Sequence, residues 1–477
     1  MNAWVQWAAF GGVSVDDAFI TFRYAANWAA GLGPVYNAGE HVEGYSNFLW
    51  LCVLSLAHCV LDDVDRLAQG IGLAAAAGSV ALGIWSLVRV YAVQSRALLL
   101  LAAASIASSG YVGAWAVSGM ESALHGLLLL GLWSAFALAQ RGVSNPAVAA
   151  ALLGMCVGLS RPEGLLVAFA FCVAHVLAAQ DRKLAWRATE LWAVPVAVLS
   201  VLCVYMAWRF SFYGPHWLPN SVRAKVGFSG AQVVRGADYV LHKLIDPYLP
   251  LLAASGLLLQ GPRVWASWFG VALLFGNVAF IAVAGGDWSP GRFFAPLIPL
   301  GSVLAVAGLA QRGRLTRVAW FVACAIVVYA AITTGAREHE FRTTFRDNDL
   351  ERIRIGKWLR DAAPRDSVLA VTAAGQLAYY SRLYTHDMLG LNDAHISSLQ
   401  PETQGQGMAG HEKFDIHYSI DTVAPAIIVG GEVIPGLRRY LANTGKYALV
   451  PLRYENLLIR KGAIAPHQIT RLTRMKL

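Results

Sequence analysis

Asp16-Asp17-Ala18-Phe19-Ile20-Thr21-Phe22-Arg23-Tyr24 puts two adjacent carboxylates directly after a short apolar stretch, Met1 to Val15. Helical periodicity follows as far as Ala30, with Phe19, Phe22, Ala26 and Ala29 on one face. A helix of that kind is expected to lie flat on a bilayer surface. A paired acid at a membrane edge can act as general base for a hydroxyl, or hold a divalent cation. The plainer reading of the same two residues is a helix cap followed by a first-turn Asp.

The surrounding composition favours a membrane. Of 477 residues, 57% are hydrophobic and only 14% charged, against about 25% charged in soluble domains. Mean hydropathy is +0.49. This excludes an ordinary soluble enzyme, a disordered chain and a nucleic-acid binder. The net charge of +9 is first explained by basic cytoplasmic loops. Cys52, Cys59, Cys156, Cys172, Cys203 and Cys324 all lie in apolar stretches. Small buried hydrophobes are therefore expected, with no disulfide framework or metal cluster.

Apolar runs long enough to cross a bilayer, roughly 20 residues each, are read at 70–90, 97–113, 120–140, 146–160, 163–179, 188–210, 240–260, 264–284, 293–311 and 318–335. A shorter run covers 47–61 and reads as interfacial or re-entrant. The start has no cleavable signal-peptide pattern and reads as a truncated first span or a short interfacial anchor. The fold class expected is a polytopic α-helical membrane protein of about 10–12 membrane helices with a small C-terminal α/β domain.

Arg89 with Arg96, Arg141, Arg182 with Lys183 and Arg187, Arg263, and Arg312 with Arg314 and Arg317 sit between spans. The positive-inside rule puts those loops in the cytoplasm and the intervening ones outside. The outer loops then hold Glu121, Arg161 with Glu163, Leu218 to Lys225, and Gly285 to Arg292. The division expected is 1–335 for the membrane module, with a first outer loop at 14–47, and 336–477 for an outer domain. In that tail, 347–362 reads as an amphipathic helix ended by Pro364, 367–371 and 426–429 as buried strands, and 447–460 as a hairpin.

Ionisable residues near membrane depth are expensive and by default suggest function. Glu121, Glu163 and Asp287 are such residues, with Arg161 and Arg292 the obvious structural partners. Glu40 and Glu43 lie in a Gly- and Asn-rich loop beside the membrane. Arg223 and Lys225 are cations in an outer loop, where a topology signal does not explain them; they could bind a lipid phosphate or simply snorkel. In the tail, Asn392, Asp393, His395, His411, Glu412 and Lys413 could touch an acceptor or form plain polar surface, and the histidines lack zinc spacing. The unusual charges converge on one side of the membrane. Nucleotide-activated substrates are absent from the outer surface, so a group carried on a lipid phosphate is the natural donor there.

The string Asp16-Asp17-Ala18-Phe19, Gly33-Pro34-Val35-Tyr36-Asn37-Ala38-Gly39-Glu40 and Val42-Glu43-Gly44 resembles the GT-C superfamily of integral-membrane glycosyltransferases. Among these it looks most like the terminal arabinofuranosyltransferases of actinobacterial cell walls and their relatives in other bacteria. The resemblance extends to Gly119-Met120-Glu121, Arg161-Pro162-Glu163-Gly164, Leu218-Pro219-Asn220 and Gly285-Gly286-Asp287. The first-loop motif is fairly specific for the superfamily and much less so for the sugar. The chain departs from the family in its very short first span and small tail. The resemblance implies a sugar donor on a polyprenyl monophosphate, a base at Asp16 or Asp17, and an outer-face active site in a bacterial inner membrane. The acceptor expected is a hydroxyl of an envelope glycan, lipid or protein; nucleic acid is not a partner.

On that reading Asp17 is the preferred base and Asp16 its partner or a metal ligand. Lys225, Arg223 and Arg292 would meet the phosphate. Asp287, Glu121, Glu43 and Glu163 would contact the sugar or acceptor, and Tyr24, Tyr36 and Trp288 would stack on a sugar ring. The acids near the donor could serve without a cofactor; a divalent cation is the alternative. The competing classes are a lipid-linked-substrate transporter or flippase, which would spread its charges through several spans, and a non-catalytic membrane scaffold.

Overall fold

The computed structural model describes residues 2–9, 12–140, 146–181, 189–227, 229–256, 265–312 and 316–474. Among them, six helices are long and apolar enough to cross a membrane: Asp65–Tyr91, Ser122–Ala139, Pro162–Ala179, Leu191–Tyr213, Trp265–Ala284 and Arg317–Ala362. Three shorter apolar helices, Phe48–His58, Ala147–Ser160 and Ala295–Ala310, accompany them. Phe48–His58 has 11 residues and spans only about 16 Å at 1.5 Å per residue, too little for a hydrocarbon core of about 30 Å.

Four expected spans differ. Those at 146–160 and 293–311 are the shorter helices Ala147–Ser160 and Ala295–Ala310. The run at 97–113 is two helices, Arg96–Ala107 and Gly110–Ala116, bent by 55°. Ser109 causes the break: its hydroxyl accepts from the Val112 amide and restarts the helix. The helical segment at 240–260 begins earlier, at Gly230, passes a π-helical turn at Leu241–Ile245, and is described as far as Gly256. Residues 257–260 lie outside the described ones, as do Arg141, Arg182, Lys183, Arg187, Arg263 and Arg314.

The Asp16–Ala29 helix does not turn its apolar face to lipid. Phe19 and Phe22 are fully buried, and the Phe19 ring meets Tyr379 and Tyr380 of the tail at 5.5 Å each. Its apolar face has protein rings for partners, which a flat amphipathic helix would have to find in lipid. Arg23 on the same helix is 7% exposed. Its guanidinium donates to the carbonyls of Tyr36 at 2.6 Å and Leu383 at 2.8 Å, to the carbonyl of Ala378, and to Asn37 Oδ1 at 2.8 Å. A buried charge is tolerated only when so completely paired, and this pairing ties the first loop to the tail.

The Arg317–Ala362 helix has 46 residues, about 69 Å of length. It carries the last apolar run straight into the tail, so the expected amphipathic helix at 347–362 is its final part. Ile353, Ile355, Trp358 and Leu359 are buried there, and the helix ends just before Pro364. The composition change at 335/336 therefore falls inside one continuous helix.

The tail sheet has five strands: β1 Val368–Val371, β2 Tyr384–Asp387, β3 Ile427–Val429, β4 Tyr447–Pro451 and β5 Asn456–Arg460. Their order is β2-β1-β3-β5-β4. β1 is parallel to β2 and β3, while β5 is antiparallel to β3 and β4. The β4–β5 hairpin matches the expected one. β2 had no strand signal, because Tyr384-Thr385-His386-Asp387 is polar; its His386 and Asp387 are buried by partners from other elements.

Candidate functional site

Asp16 and Asp17 are the first two residues of the Asp16–Ala29 helix, preceded by Val15 in extended conformation. Neither caps its own helix; both sit where the helix dipole favours negative charge. Adjacent positions on a helix point about 100° apart, and the two carboxylates separate accordingly. Asp16 accepts from the amides of Gly375 at 3.0 Å and Gln376 at 2.9 Å, at the start of the tail helix Gln376–Ser381. Asp17 turns into a cavity of about 1200 Å³ of empty space, its open mouth included.

Asp17, Glu121, Glu163, Lys225, Asp287 and Arg292 all line that cavity, together with apolar Ile20, Met120, Leu218, Phe280, Val283 and Phe293. Elements 275 residues apart in sequence meet here, where Arg292 Nη1 donates to Asp17 Oδ2 at 2.7 Å. Asp287 Oδ2 is farther from Arg292, at 3.9 Å, and accepts from the Ser289 hydroxyl at 2.9 Å. The turn that delivers Asp287 needs Gly285 and Gly286, whose φ angles are +88° and +73°. Arg161 pairs with both Glu121, at 2.8 Å, and Glu163, at 2.5 Å. Glu121 also accepts from Asn47 Nδ2 at 2.6 Å, and Asn47 Oδ1 from Thr21 at 3.2 Å. The two glutamates are thus held structurally, Glu121 most tightly. Among the described residues Lys225 has no hydrogen-bond or ion-pair partner, and it is the only cation lining the cavity in that condition.

Charge sets the protonation of these groups. Burial alone would raise Asp17, but Arg292, Lys225 and His411 outweigh it and hold the carboxyl below its ordinary range. Burial is also the largest influence on Lys225 and, with Arg292, lowers it against the pull of Asp17 and Asp287. Asp16 is raised by burial despite Arg352 and the two amide donors. The two adjacent acids are driven in opposite directions, as expected where roles differ.

Several expected site residues lie elsewhere. Tyr24 and Tyr36 are 0% and 1% exposed. Tyr24 donates to the Val42 carbonyl at 2.7 Å, and Tyr36 to the Ala374 carbonyl at 2.6 Å. Neither presents a face to a sugar, since both rings are used inside the loop–tail joint. Glu43 pairs with Arg209 at 2.6 Å in a neighbouring pocket that also holds Arg223; burial pushes Glu43 up to about 7 against that arginine. Arg223 faces that pocket because it stands two residues before Lys225 on a six-residue helix, Asn220–Lys225. Trp288 faces a further cavity, against Phe341 and Phe345 at 5.1 and 5.5 Å.

The tail polar residues mostly serve as joints. Asn392 donates to Asp387, Asp393 caps the Ala394–Ser398 helix, and His395 pairs with Asp415. Glu412 pairs with Arg235, and the Lys413 ammonium donates to the carbonyls of Arg223 and Ser397. His411 stands 6.3 Å from the Trp288 ring and adds to the positive field on Asp17. Among the described residues no three His, Cys, Asp or Glu side chains converge to hold a metal ion. The partner Asp17 meets is Arg292.

Sequence reading passed over Phe341, Arg342, Phe345, Asp349 and Arg352, which the long helix brings to the back of Asp17. Their i, i+4 spacing was legible, but nothing in the sequence said that a membrane helix would continue unbroken to reach them.

Residues 337–459 match the family model described as a domain of unknown function (DUF8728). A terminal β-(1→2)-arabinofuranosyltransferase of Corynebacterium glutamicum is 28% identical over 333 residues, 61% of this chain and 46% of that protein. The protein of the same name from Mycobacterium tuberculosis is 29% identical over 335 residues, 62% of this chain and 52% of that one. The chain spans about half the length of the curated relatives it matches. The crystal structure of ArnT from Cupriavidus metallidurans bound to undecaprenyl phosphate superposes with a TM-score of 0.64 at 12% identity, covering 98% of both chains. The chain thus has the fold of the GT-C membrane glycosyltransferases, and its sequence is similar to the terminal arabinofuranosyltransferases among them.

Proposed function

We propose that the chain is a membrane glycosyltransferase. It moves a sugar from a polyprenyl-phosphate donor to a hydroxyl of a cell-envelope acceptor, on the outer side of the bacterial inner membrane. The observation that carries this reading is one cavity in which Asp17 faces the partnerless Lys225 across apolar walls. The sugar favoured by sequence likeness is arabinofuranose. The lipid phosphate bound by the structurally similar ArnT fits the same choice of donor.

The donor's phosphate needs a cation that is not already committed. Lys225 offers one, and Arg292 offers a second that it shares with Asp17. The prenyl chain lies along Leu218, Phe280 and Val283, the last of which is 47% exposed on the outside of its helix. The acceptor O–H gives its proton to the Asp17 carboxylate. The acceptor oxygen bonds to the anomeric carbon as the bond from that carbon to the phosphate oxygen breaks. Polyprenyl phosphate leaves with the electron pair, its charge met by Lys225 and Arg292.

A carboxylate held below its ordinary range by an arginine is a weak base. An incoming phosphate competes for Arg292 and adds negative charge nearby, and both effects strengthen Asp17 as a base. Donor binding and base activation are therefore coupled through one guanidinium. Asp16, with both oxygens committed to tail amides, is a positioning residue.

The experiment is to incubate the purified chain with synthetic decaprenyl-phosphoryl-arabinofuranose and an arabinofuranosyl oligosaccharide, and to measure free decaprenyl phosphate and extended glycan. Both products should appear together. Neither product with this donor, nor with other polyprenyl-phosphate sugars, would remove the reading and favour a transporter or scaffold.

A further inference from the structure

The helix Gly230–Val240 carries no residue that lines either cavity beside Asp17, yet it grips the turn that delivers Asp287. Gln232, Arg235 and Tyr239 stand at i, i+3 and i+7, one face of a helix. Each reaches a backbone carbonyl of the segment 283–289. The Gln232 side-chain amide donates to the Val283 carbonyl at 3.1 Å, the Arg235 Nε–H to that of Gly285 at 2.9 Å, and the Tyr239 hydroxyl to that of Ser289 at 2.9 Å. Asp287 lies between the last two. Its carboxylate in turn accepts from the Ser289 hydroxyl. A Cβ on Gly236 would stand 2.0 Å from the Ala282 carbonyl oxygen, so the gripping helix and the start of the gripped segment are in backbone contact.

The same helix holds the tail. Arg235 Nη1 donates to the Gly407 carbonyl at 2.9 Å and pairs with Glu412 at 3.0 Å. Glu412 accepts the amides of Gly405 and Gly407 at 2.8 Å each. Ala409 of that loop lines the larger cavity, and a Cβ on Gly410 would stand 3.4 Å from the Lys225 stem. Glycine backbones have more conformations to choose from than any other. Segments such as Gly285-Gly286-Asp287 and Gly405-Gln406-Gly407 therefore keep one geometry only where partners impose it. One guanidinium imposes it on both. A planar fork with several donors can do so; a lysine ammonium, a point charge on a flexible stem, cannot fix both carbonyls.

We propose that Gln232, Arg235 and Tyr239 are positioning residues for glycosyl transfer: they fix where Asp287 stands in the cavity it shares with Asp17 and Lys225, and Arg235 extends the same brace to the tail loop beside it. This rests on the glycosyl-transfer reading and deepens it. Asp287 acts on the sugar of the donor; the three braces touch no substrate and act through Asp287. The Gly227 amide, two residues past Lys225, donates to the Gln232 side chain at 2.7 Å. The free cation and the acid are thus both held to one helix. The tail belongs to the donor site, because its loop and the Asp287 turn share one arginine.

The test is kinetic, on the full chain in detergent or nanodiscs. The donor is decaprenyl-phosphoryl-arabinofuranose, or the polyprenyl-phosphate sugar that the wild type turns over, and the acceptor an arabinofuranosyl oligosaccharide. Arg235→Ala should lower kcat/KM for the donor by about 10²-fold, the usual cost of a misplaced group. Arg235→Lys should recover part of the loss. Tyr239→Phe and Glu412→Gln, which change few atoms, should lower it by a smaller factor with the melting temperature close to that of wild type. Each effect should vanish in an Asp287→Ala background, where the double variant should match Asp287→Ala alone to within about twofold. A defect of stability would add to that of Asp287→Ala instead of disappearing into it.

Effects that add in full to that of Asp287→Ala would overturn the proposal and leave the three residues to folding alone. Wild-type kinetics in Arg235→Ala, or in Asp287→Ala, would overturn it as well. In all three cases the wild type still transfers sugar, and the glycosyl-transfer reading stands. If Arg235→Ala fails to fold, Tyr239→Phe and Glu412→Gln carry the same comparison. A wild type that releases no polyprenyl phosphate from any such donor would strike the glycosyl-transfer reading itself, and this proposal with it.

Discussion

Arg292 Nη1 stands 2.7 Å from Asp17 Oδ2, joining the start of the first long loop to the turn after the Trp265–Ala284 helix. That single contact stands between two cavities, and it holds Asp17 at the larger one while Asp16 turns to the tail amides. It also makes the roles of Asp16 and Asp17 experimentally distinct.

Asp17→Asn keeps the shape and removes the proton acceptor. Transfer from a polyprenyl-phosphate sugar should fall by about 10²–10⁴-fold, the usual worth of a general base, with the chain still folded and only the stability of the Asp17–Arg292 pair lost. Asp16→Ala should behave the other way. It strands the amides of Gly375 and Gln376, each worth about 1–3 kcal/mol when buried and unmet, so the melting temperature should drop while residual activity follows the folded fraction. Equal loss of activity without loss of stability in both variants would contradict the division of roles.

The apolar runs made the membrane architecture legible, because burial in lipid demands nothing subtler than length and hydropathy. The acidic pair was legible as unusual. Which acid faces the cavity was not, since that depends on Gly375 and Gln376 arriving from some 360 residues away. Arg223 and Lys225 looked equivalent in sequence. Two positions along a short helix send them to different pockets. Tyr24 and Tyr36 looked like sugar platforms because aromatic loop residues beside a membrane often face outward. The tail folds over them, and no local signal announces that cover.

That difference between the two cations gives a second prediction. Lys225→Ala should weaken decaprenyl phosphate binding by about 1.5–3 kcal/mol, the range for a hydrogen bond to a charged group. Arg223→Ala should leave it near the wild-type value. Equal effects measured by calorimetry would place the phosphate between the two pockets rather than in the larger one.

Arg161 is 5% exposed and carries two glutamates. Arg161→Ala would leave both buried carboxylates without their cation, a cost of about 3–5 kcal/mol for a broken buried pair. The variant should express poorly or melt early. Arg161→Ala combined with Glu121→Gln and Glu163→Gln should recover much of that loss, because the stranded charge is then gone. A stable, fully active Arg161→Ala single variant would show that water or lipid head groups already reach the pair.

The pH dependence follows from the depressed value of Asp17. In the unfolded chain its carboxyl titrates near 3.9; in the fold Arg292, Lys225 and His411 hold it lower against burial. A group whose folded value is depressed contributes stability above the unfolded value, and that contribution is lost as pH falls through the folded one. The stability difference between wild type and Asp17→Asn should therefore stay level from pH 8 to about 5, then shrink below about pH 4. Thermal unfolding of the two proteins across that range checks it. A difference that fades between pH 7 and 5 would mean the carboxyl is not held by the arginine.

Gly375 is where the tail touches the Asp16–Ala29 helix. A Cβ at this position would stand 1.8 Å from the Asp16 carbonyl oxygen and 2.9 Å from Asp16 Oδ2. The first is backbone at a helix start and cannot swing aside as a flexible side chain would. Gly375→Ala should therefore push the Gln376–Ser381 helix away from Asp16, break both amide hydrogen bonds and loosen the packing of Tyr379 and Tyr380 on Phe19. Because Asp17 is the next residue, its angle to Arg292 shifts as well. Activity should fall with the membrane helices still intact, and limited proteolysis should cut first within the tail. Unaltered activity and proteolysis would mean that the tail can dock without the close approach seen here, and that Asp17 is positioned by Arg292 alone.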